Sequence, residues 1–174
     1  MEILAFIIGI IAVCLYFLGY LQRRKRAIML LNLSSRVLYI VQYMLLGAFS
    51  GAALDVAGAI GTVIAGRQEM SFIKKHKVLV ICAMNALIVG VGIYVMIATS
   101  DPLGVLPIIG VACHVNAFWF GDEKNVRRLS MLGSPFWLAY NILSGAYGSC
   151  IGDVLSMVSI GAAMIKYDVK KGNG

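Results

Sequence analysis

LGAFSGAALDV, Leu46 to Val56, and SGAYGSCIGDV, Ser144 to Val154, follow one pattern. Set in register they share Gly, Ala, Asp and Val, and Phe49 falls opposite Tyr147. Small apolar residues match easily by chance, but an acid inside an otherwise apolar run is rare, so Asp55 opposite Asp153 carries the match. The same offset of 98 positions, extended back through the stretch that begins LNLSSRVLYIVQY at Leu31, sets Tyr39 opposite Trp137 and Tyr43 opposite Asn141. An internal duplication is expected, and such repeats fix an architecture before any other feature does.

Composition says what solvent the chain lives in. Sixty per cent of the 174 residues are apolar, mean hydropathy is +0.88 and only 13% are charged, so several apolar runs of about 20 residues must lie in lipid. The net charge of +7 would suggest nucleic acid in a water-soluble chain. Here the basic residues sit in short clusters between apolar runs, where they set topology instead, and nucleic acid is not an expected partner. Cys14, Cys82, Cys113 and Cys150 lie within apolar stretches without CxxC or Cys/His spacing, so packing is expected and metal binding is not.

Seven spans follow from the order of apolar runs. Met1 to Tyr20 is apolar apart from Glu2 and has its basic cluster, Arg23 to Arg26, after it. A cleaved signal peptide carries positive charge before its apolar run, so this is a retained first helix. The second helix is expected from about Ile28 to Ala48, a third to Gly66, a fourth from Val78 to Ala98 and a fifth from Leu103 to Phe120. GDEKNVRR, Gly121 to Arg128, reads as a charged inner loop, and the last two spans run from about Leu129 to Ala146 and Ser149 to Ile165. Of fifteen Lys and Arg, fourteen fall in loops or the tail that this order places on one side, the exception being Arg36. That asymmetry puts the N-terminus outside and the C-terminus in the cytoplasm.

Units of three spans can repeat in parallel only if an extra helix inverts the chain between them. The fourth span is that helix, giving an all-α integral membrane fold of 3+1+3 plan. The units are a first triple-helix bundle at 1–66, an inner loop and linker helix at 67–98, a second bundle at 99–166 and a polar tail at 167–174.

Asn32, Arg36, Tyr39 and Tyr43 share one face of the second helix, matched by Ser130, Ser134, Trp137 and Asn141 on the sixth. Two polar and aromatic stripes at matching positions suit a junction between bundles better than a lipid-facing surface. Tyr39 and Trp137 read as packing or pocket residues, and Asn141 and Asn116 as substrate contacts or interhelical hydrogen-bond partners. Asp55 and Asp153 lie twelve and thirteen residues before Arg67 and Lys166, roughly 18 to 20 Å along a helix. That leaves two readings: acids capping a helix near the outer surface, or buried acids that pair or carry protons. Arg36 either snorkels, pairs with an acid or meets an anionic substrate group. His114 is either a hydrogen-bonded structural residue or a protonatable gate. Pro107 and Pro135 are candidate hinges, Pro107 the more so. Gly51, Gly58, Gly61 and Gly66, with Gly152, Ser156 and Gly161 on the last helix, suit close helix contact.

The helix order, PLGVLPIIG from Pro102 to Gly110, and LSGAYGSCIGD from Leu143 to Asp153 resemble the YgjV family of bacterial inner membrane proteins. That family is similar in turn to the SWEET sugar transporters and the Pnu-type vitamin transporters. The resemblance implies a bacterial inner (plasma) membrane location and passage of a small neutral solute between two triple-helix bundles. A Pro-Gln motif marks each SWEET unit, whereas here Pro107 precedes Ile108, Pro135 precedes Phe136, and the first unit has no proline. The expected function is small-solute transport or facilitation by alternating access. Tyr39, Trp137, Asn141, Asn116 and Arg36 would be at the substrate, with Asp55, Asp153 and His114 as ion-paired or proton-linked groups. The rival is a non-transporting membrane receptor or assembly subunit on the same scaffold. No HExxH, GxSxG or P-loop motif is present, so neither an enzyme nor a cofactor is expected. The partners are a solute and the bilayer, with a homo-oligomer left open.

Overall fold

The computed structural model describes residues 2–46, 49–100, 102–120, 122–143 and 147–169. The expected junctions at 47–48 and 144–146 and the end of the tail lie outside the described residues. Within them the chain is helical without a strand: α1 (Glu2–Tyr20), α2 (Lys25–Leu46), α3 (Phe49–Gly66), the short α4 (Ser71–Lys75), α5 (Lys77–Thr99), α6 (Val105–Ala117), α7 (Glu123–Leu143) and α8 (Tyr147–Ala163). A 3-10 turn at Pro102–Gly104 leads into α6, and a π-helical turn at Met164–Val169 extends α8.

Hydrophobicity is turned outward. Val78, Leu79, Tyr94 and Ile97 of α5 are each at least two-thirds exposed, and Ile3, Leu4, Phe6, Ile7 and Ile10 of α1 at least half, while Asn32, Ser35, Arg36, Asp55, His114 and Arg127 are buried. Water would reverse that distribution; lipid tails accept it, because polar groups then find partners only in the protein interior. By length and composition, four segments are fit to cross a membrane: Ile3–Tyr20, Lys25–Leu45, Lys77–Thr99 and Cys150–Asp168. The sequence reading counts seven. The other three helices are shorter, as α3 and α6 are, or polar on their inner face, as α7 is, where Arg127, Ser130, Ser134 and Asn141 are buried.

α2 packs between α1 and α3, and α7 between α6 and α8. These two groups of three meet through α1 against α8 and α3 against α6. Across α3 and α6 lies α5, whose Met84, Ile88 and Gly92 recur every fourth residue as its buried stripe. α2 and α7 begin at Lys25 and Glu123, and α3 and α8 at Phe49 and Tyr147, 98 positions apart in each case.

The charged stretch at 121–128 is mostly not a loop. Asp122 accepts the Val126 amide at 3.3 Å, and Glu123 sits in the first turn of α7, where the helix dipole favours an acid. Oε1 of Glu123 also accepts the backbone N–H of Lys25, at 3.1 Å, satisfying an amide that the start of α2 leaves open. Arg127 thereby enters the interior: its Nη1 meets Asp168 Oδ1 at 2.8 Å and its Nη2 donates to the carbonyl of Gln22 at 2.8 Å. Nothing in a run of Asp, Glu, Lys and Arg marks one arginine as buried.

Candidate solute cavity

The face of α2 expected from its spacing turns inward. Arg36 Nη1 donates to Asp55 Oδ1 of α3 at 2.7 Å, and its Nε donates to Asn32 Oδ1 one turn away at 3.1 Å. Both charges are almost fully buried, Arg36 at 3% and Asp55 at 5% exposure. Arg36 does not snorkel, because a carboxylate on the adjacent helix meets it in the interior, and a paired, hydrogen-bonded charge is far cheaper there than a lone one. Gly58 makes the room: Arg36 Nη1 stands where a Cβ at 58 would be. Asp55 is thus a buried, paired acid and not a surface cap.

The second acid has a different neighbour. Asn141 Nδ2 of α7 donates to Asp153 Oδ2 of α8 at 2.8 Å. No Lys, Arg or His pairs with Asp153 among the described residues. Ser134, which stands 98 positions after Arg36, is too short to reach it and donates its hydroxyl to the Ser130 carbonyl at 2.9 Å.

Aromatic rings and one histidine complete the walls. Tyr39 and Tyr43 stack one turn apart on α2, ring centres 6.2 Å apart and planes 26° from parallel. Trp137 of α7 meets Tyr140 edge-on at 6.4 Å and lies flat on α6 at Gly110, where a Cβ would come within 2.6 Å of the indole. His114 Nε2 faces the Ser130 carbonyl at 3.0 Å; a carbonyl only accepts, so that nitrogen carries the proton. The Tyr16 hydroxyl stands 3.4 Å from each of the two ring nitrogens.

Tyr16, Arg36, Tyr39, Tyr43, Asp55 and His114 thus line one cavity together with Ser134, Trp137, Asn141, Asp153 and Ser156, around ≈ 550 Å³ of empty space that includes its opening to the exterior. Six helices contribute. Ser134 stands on the stripe expected from its spacing, whereas Tyr16 and Ser156 escape a reading as site residues, since an isolated tyrosine or serine in an apolar run is unremarkable. The offset of 98 could have found both: Tyr16 corresponds to His114 and Ser156 to Gly58.

Three expected site residues stand elsewhere or differently. Asn116 does not line the cavity: its Nδ2 donates to Asn85 Oδ1 at 2.7 Å and Asn85 Nδ2 donates back at 3.0 Å, a reciprocal amide pair that joins α5 to α6. Two amides satisfying one another inside an apolar seam leave little capacity for a ligand. Pro107 is the third residue of α6, in a first turn where the missing N–H would have had no helical partner in any case. Pro135, by contrast, lies inside α7, where its missing N–H removes a backbone hydrogen bond from a helix that continues to Leu143.

Among the described residues no three His, Cys, Asp or Glu side chains gather as a metal site. No curated protein and no solved structure matches the chain. A family model does: Imp-YgjV, described as bacterial inner membrane protein, matches residues 3–171, and the chain belongs to this family of bacterial inner membrane proteins.

Proposed function

We propose that this protein carries a small solute across the bacterial inner membrane by rocking two triple-helix bundles, α1 to α3 and α6 to α8, about the cavity between them. The supporting observation is that one cavity is lined from both groups and contains the buried charges. Intramembrane charge is expensive and is retained mainly along substrate or ion pathways. Solute sites of such carriers lie near mid-membrane between repeated units.

In this reading α1, α2, α3, α5, α6, α7 and α8 all cross the membrane, with the N-terminus outside and the C-terminus in the cytoplasm. The units are 1–66, 67–98, 99–166 and the tail at 167–174, related by an axis along the membrane normal. Two contacts support that axis. Tyr16 touches His114 and Lys25 touches Glu123, each pair separated by 98 positions. Residues exchanged by a twofold rotation can touch each other only where they lie beside its axis. Short α6 is tolerated as a span because it packs against α3, α5 and α7, and its last turn, with His114, Val115 and Ala117, is buried.

Tyr39, Tyr43, Trp137 and Asn141 hold the solute, while Asp55, Asp153 and His114 are the groups through which a proton is coupled. Pro135 supplies flexibility. The test is flux in liposomes containing the purified chain, for solutes first selected by their thermal stabilisation of it. Uptake faster than in protein-free vesicles, and lost in Trp137→Ala and Asn141→Ala, is the expected result. A solute that binds yet never crosses would leave the receptor or assembly-subunit reading. Proton coupling predicts that Asp153→Asn abolishes accumulation against a gradient; accumulation unchanged in that variant removes the coupling.

A further inference from the structure

The two acids of the cavity differ in a way that identifies the charge of the solute. Asp55 is neutralised by Arg36 at 2.7 Å, whereas Asp153 has an amide donor from Asn141 and no cation among the described residues. With His114 donating to a backbone carbonyl and facing a tyrosine hydroxyl, the formal charges lining the cavity are one positive and two negative. While Asp153 is ionised, a neutral or anionic solute leaves this imbalance in place, inside a low-dielectric wall where unpaired charge is strongly disfavoured, and only a proton or a cation can cancel it. A monovalent cation removes it.

Around the acid the walls suit an organic cation better than a bare metal ion. Tyr39, Tyr43 and Trp137 line the same cavity, and the Tyr39 hydroxyl stands 3.4 Å from the place of a Cβ at Gly152, the residue beside Asp153. Ring faces attract ammonium groups, most strongly where water is excluded. A metal ion would need several oxygen ligands, and among the described residues no three His, Cys, Asp or Glu side chains gather there. We propose that Asp153, with Tyr39, Tyr43 and Trp137, binds the ammonium group of a small monovalent organic cation. This rests on the reading of the cavity as the solute site.

The repeat supplies its own test. Ser134 occupies in the second group the position that Arg36 occupies in the first, and Ser156 the position of Gly58, whose missing side chain admits the guanidinium. Ser134→Arg with Ser156→Gly therefore gives Asp153 an internal cation. The measurement is thermal stabilisation of the full purified chain by choline, by methylammonium and by 3,3-dimethylbutanol, the uncharged carbon analogue of choline. Choline or methylammonium is expected to raise the melting temperature saturably while the alcohol does not. Asp153→Asn and the Ser134→Arg/Ser156→Gly double variant should each weaken that binding at least tenfold, with Asp153→Glu retaining more of it. If Asp153→Asn does not fold, the double variant and Trp137→Leu decide. Equal stabilisation by the alcohol, no stabilisation by either cation, or undiminished binding to the double variant overturns the proposal. Saturable cation binding without flux in liposomes keeps this site and removes transport. Flux of a neutral solute that choline does not inhibit keeps transport and removes the site.

Discussion

The two groups of three helices share a layout and disagree in its chemistry. At the crossing of α1 and α2, Ser35 donates its hydroxyl to the Ala12 carbonyl at 2.8 Å. At the matching crossing of α6 and α7 stand Gly133 and Gly110, where a Cβ at 133 would come within 3.0 Å of the Gly110 carbonyl and 2.8 Å of the Cys113 Cβ. The same contrast holds across the interface between the groups: Ser159 donates to the Phe17 carbonyl at 2.6 Å, whereas the corresponding Gly61 simply yields space to Val115. The order of helix contacts is common to both groups, and each fills its crossings with its own side chains. In the cavity this freedom leaves one acid with an arginine and the other with an amide.

Breaking the neutralised side should have the largest effect. Arg36→Met strands Asp55 as a lone buried acid and is expected to destabilise the fold by about 3 to 5 kcal/mol, measured by unfolding in mixed micelles. Arg36→Met with Asp55→Leu should recover most of that loss, because two apolar groups leave no charge unpaired. If the double variant is as unstable as the single one, the pair is not what holds α2 on α3.

Next comes the tight crossing. Gly133→Ala forces α6 and α7 apart and should destabilise by about 1 to 3 kcal/mol. Asn116→Ala, which leaves Asn85 without its partner between α5 and α6, should lower stability by about 1 kcal/mol and leave solute binding intact. A change in solute binding with stability preserved would return Asn116 to the cavity. Smallest is Ser35→Ala, about 0.6 kcal/mol for one interhelical hydrogen bond. A loss larger than that of Gly133→Ala would invert the comparison of the two crossings.

Much of this was legible without coordinates because helix periodicity is local. The spacing of Asn32, Arg36, Tyr39 and Tyr43 puts them on one face whatever surrounds the helix, and the offset joining Asp55 to Asp153 also joins the starts of α2 and α7. Harder to read were properties that depend on a neighbour. Asn116 and Asn141 are chemically alike, yet one faces Asn85 and the other Asp153. Arg127 looked like its solvated neighbours Lys124 and Arg128 until Asp168, 41 residues away, was placed beside it. Pro107 and Pro135 both interrupt apolar runs, and which of them lies inside a helix depended on where each helix begins.

The sequence by itself determined that the chain belongs in lipid, that its helices carry polar stripes, and that two acids fall 98 positions apart in similar stretches. Composition and the turn of a helix are enough for each of these, since neither needs a partner. Only the tertiary structure decided that Arg36 reaches Asp55 and that no cation among the described residues reaches Asp153. Pairing across helices depends on side-chain length and on the space opposite, such as that left by Gly58, and neither is written in the local order of residues.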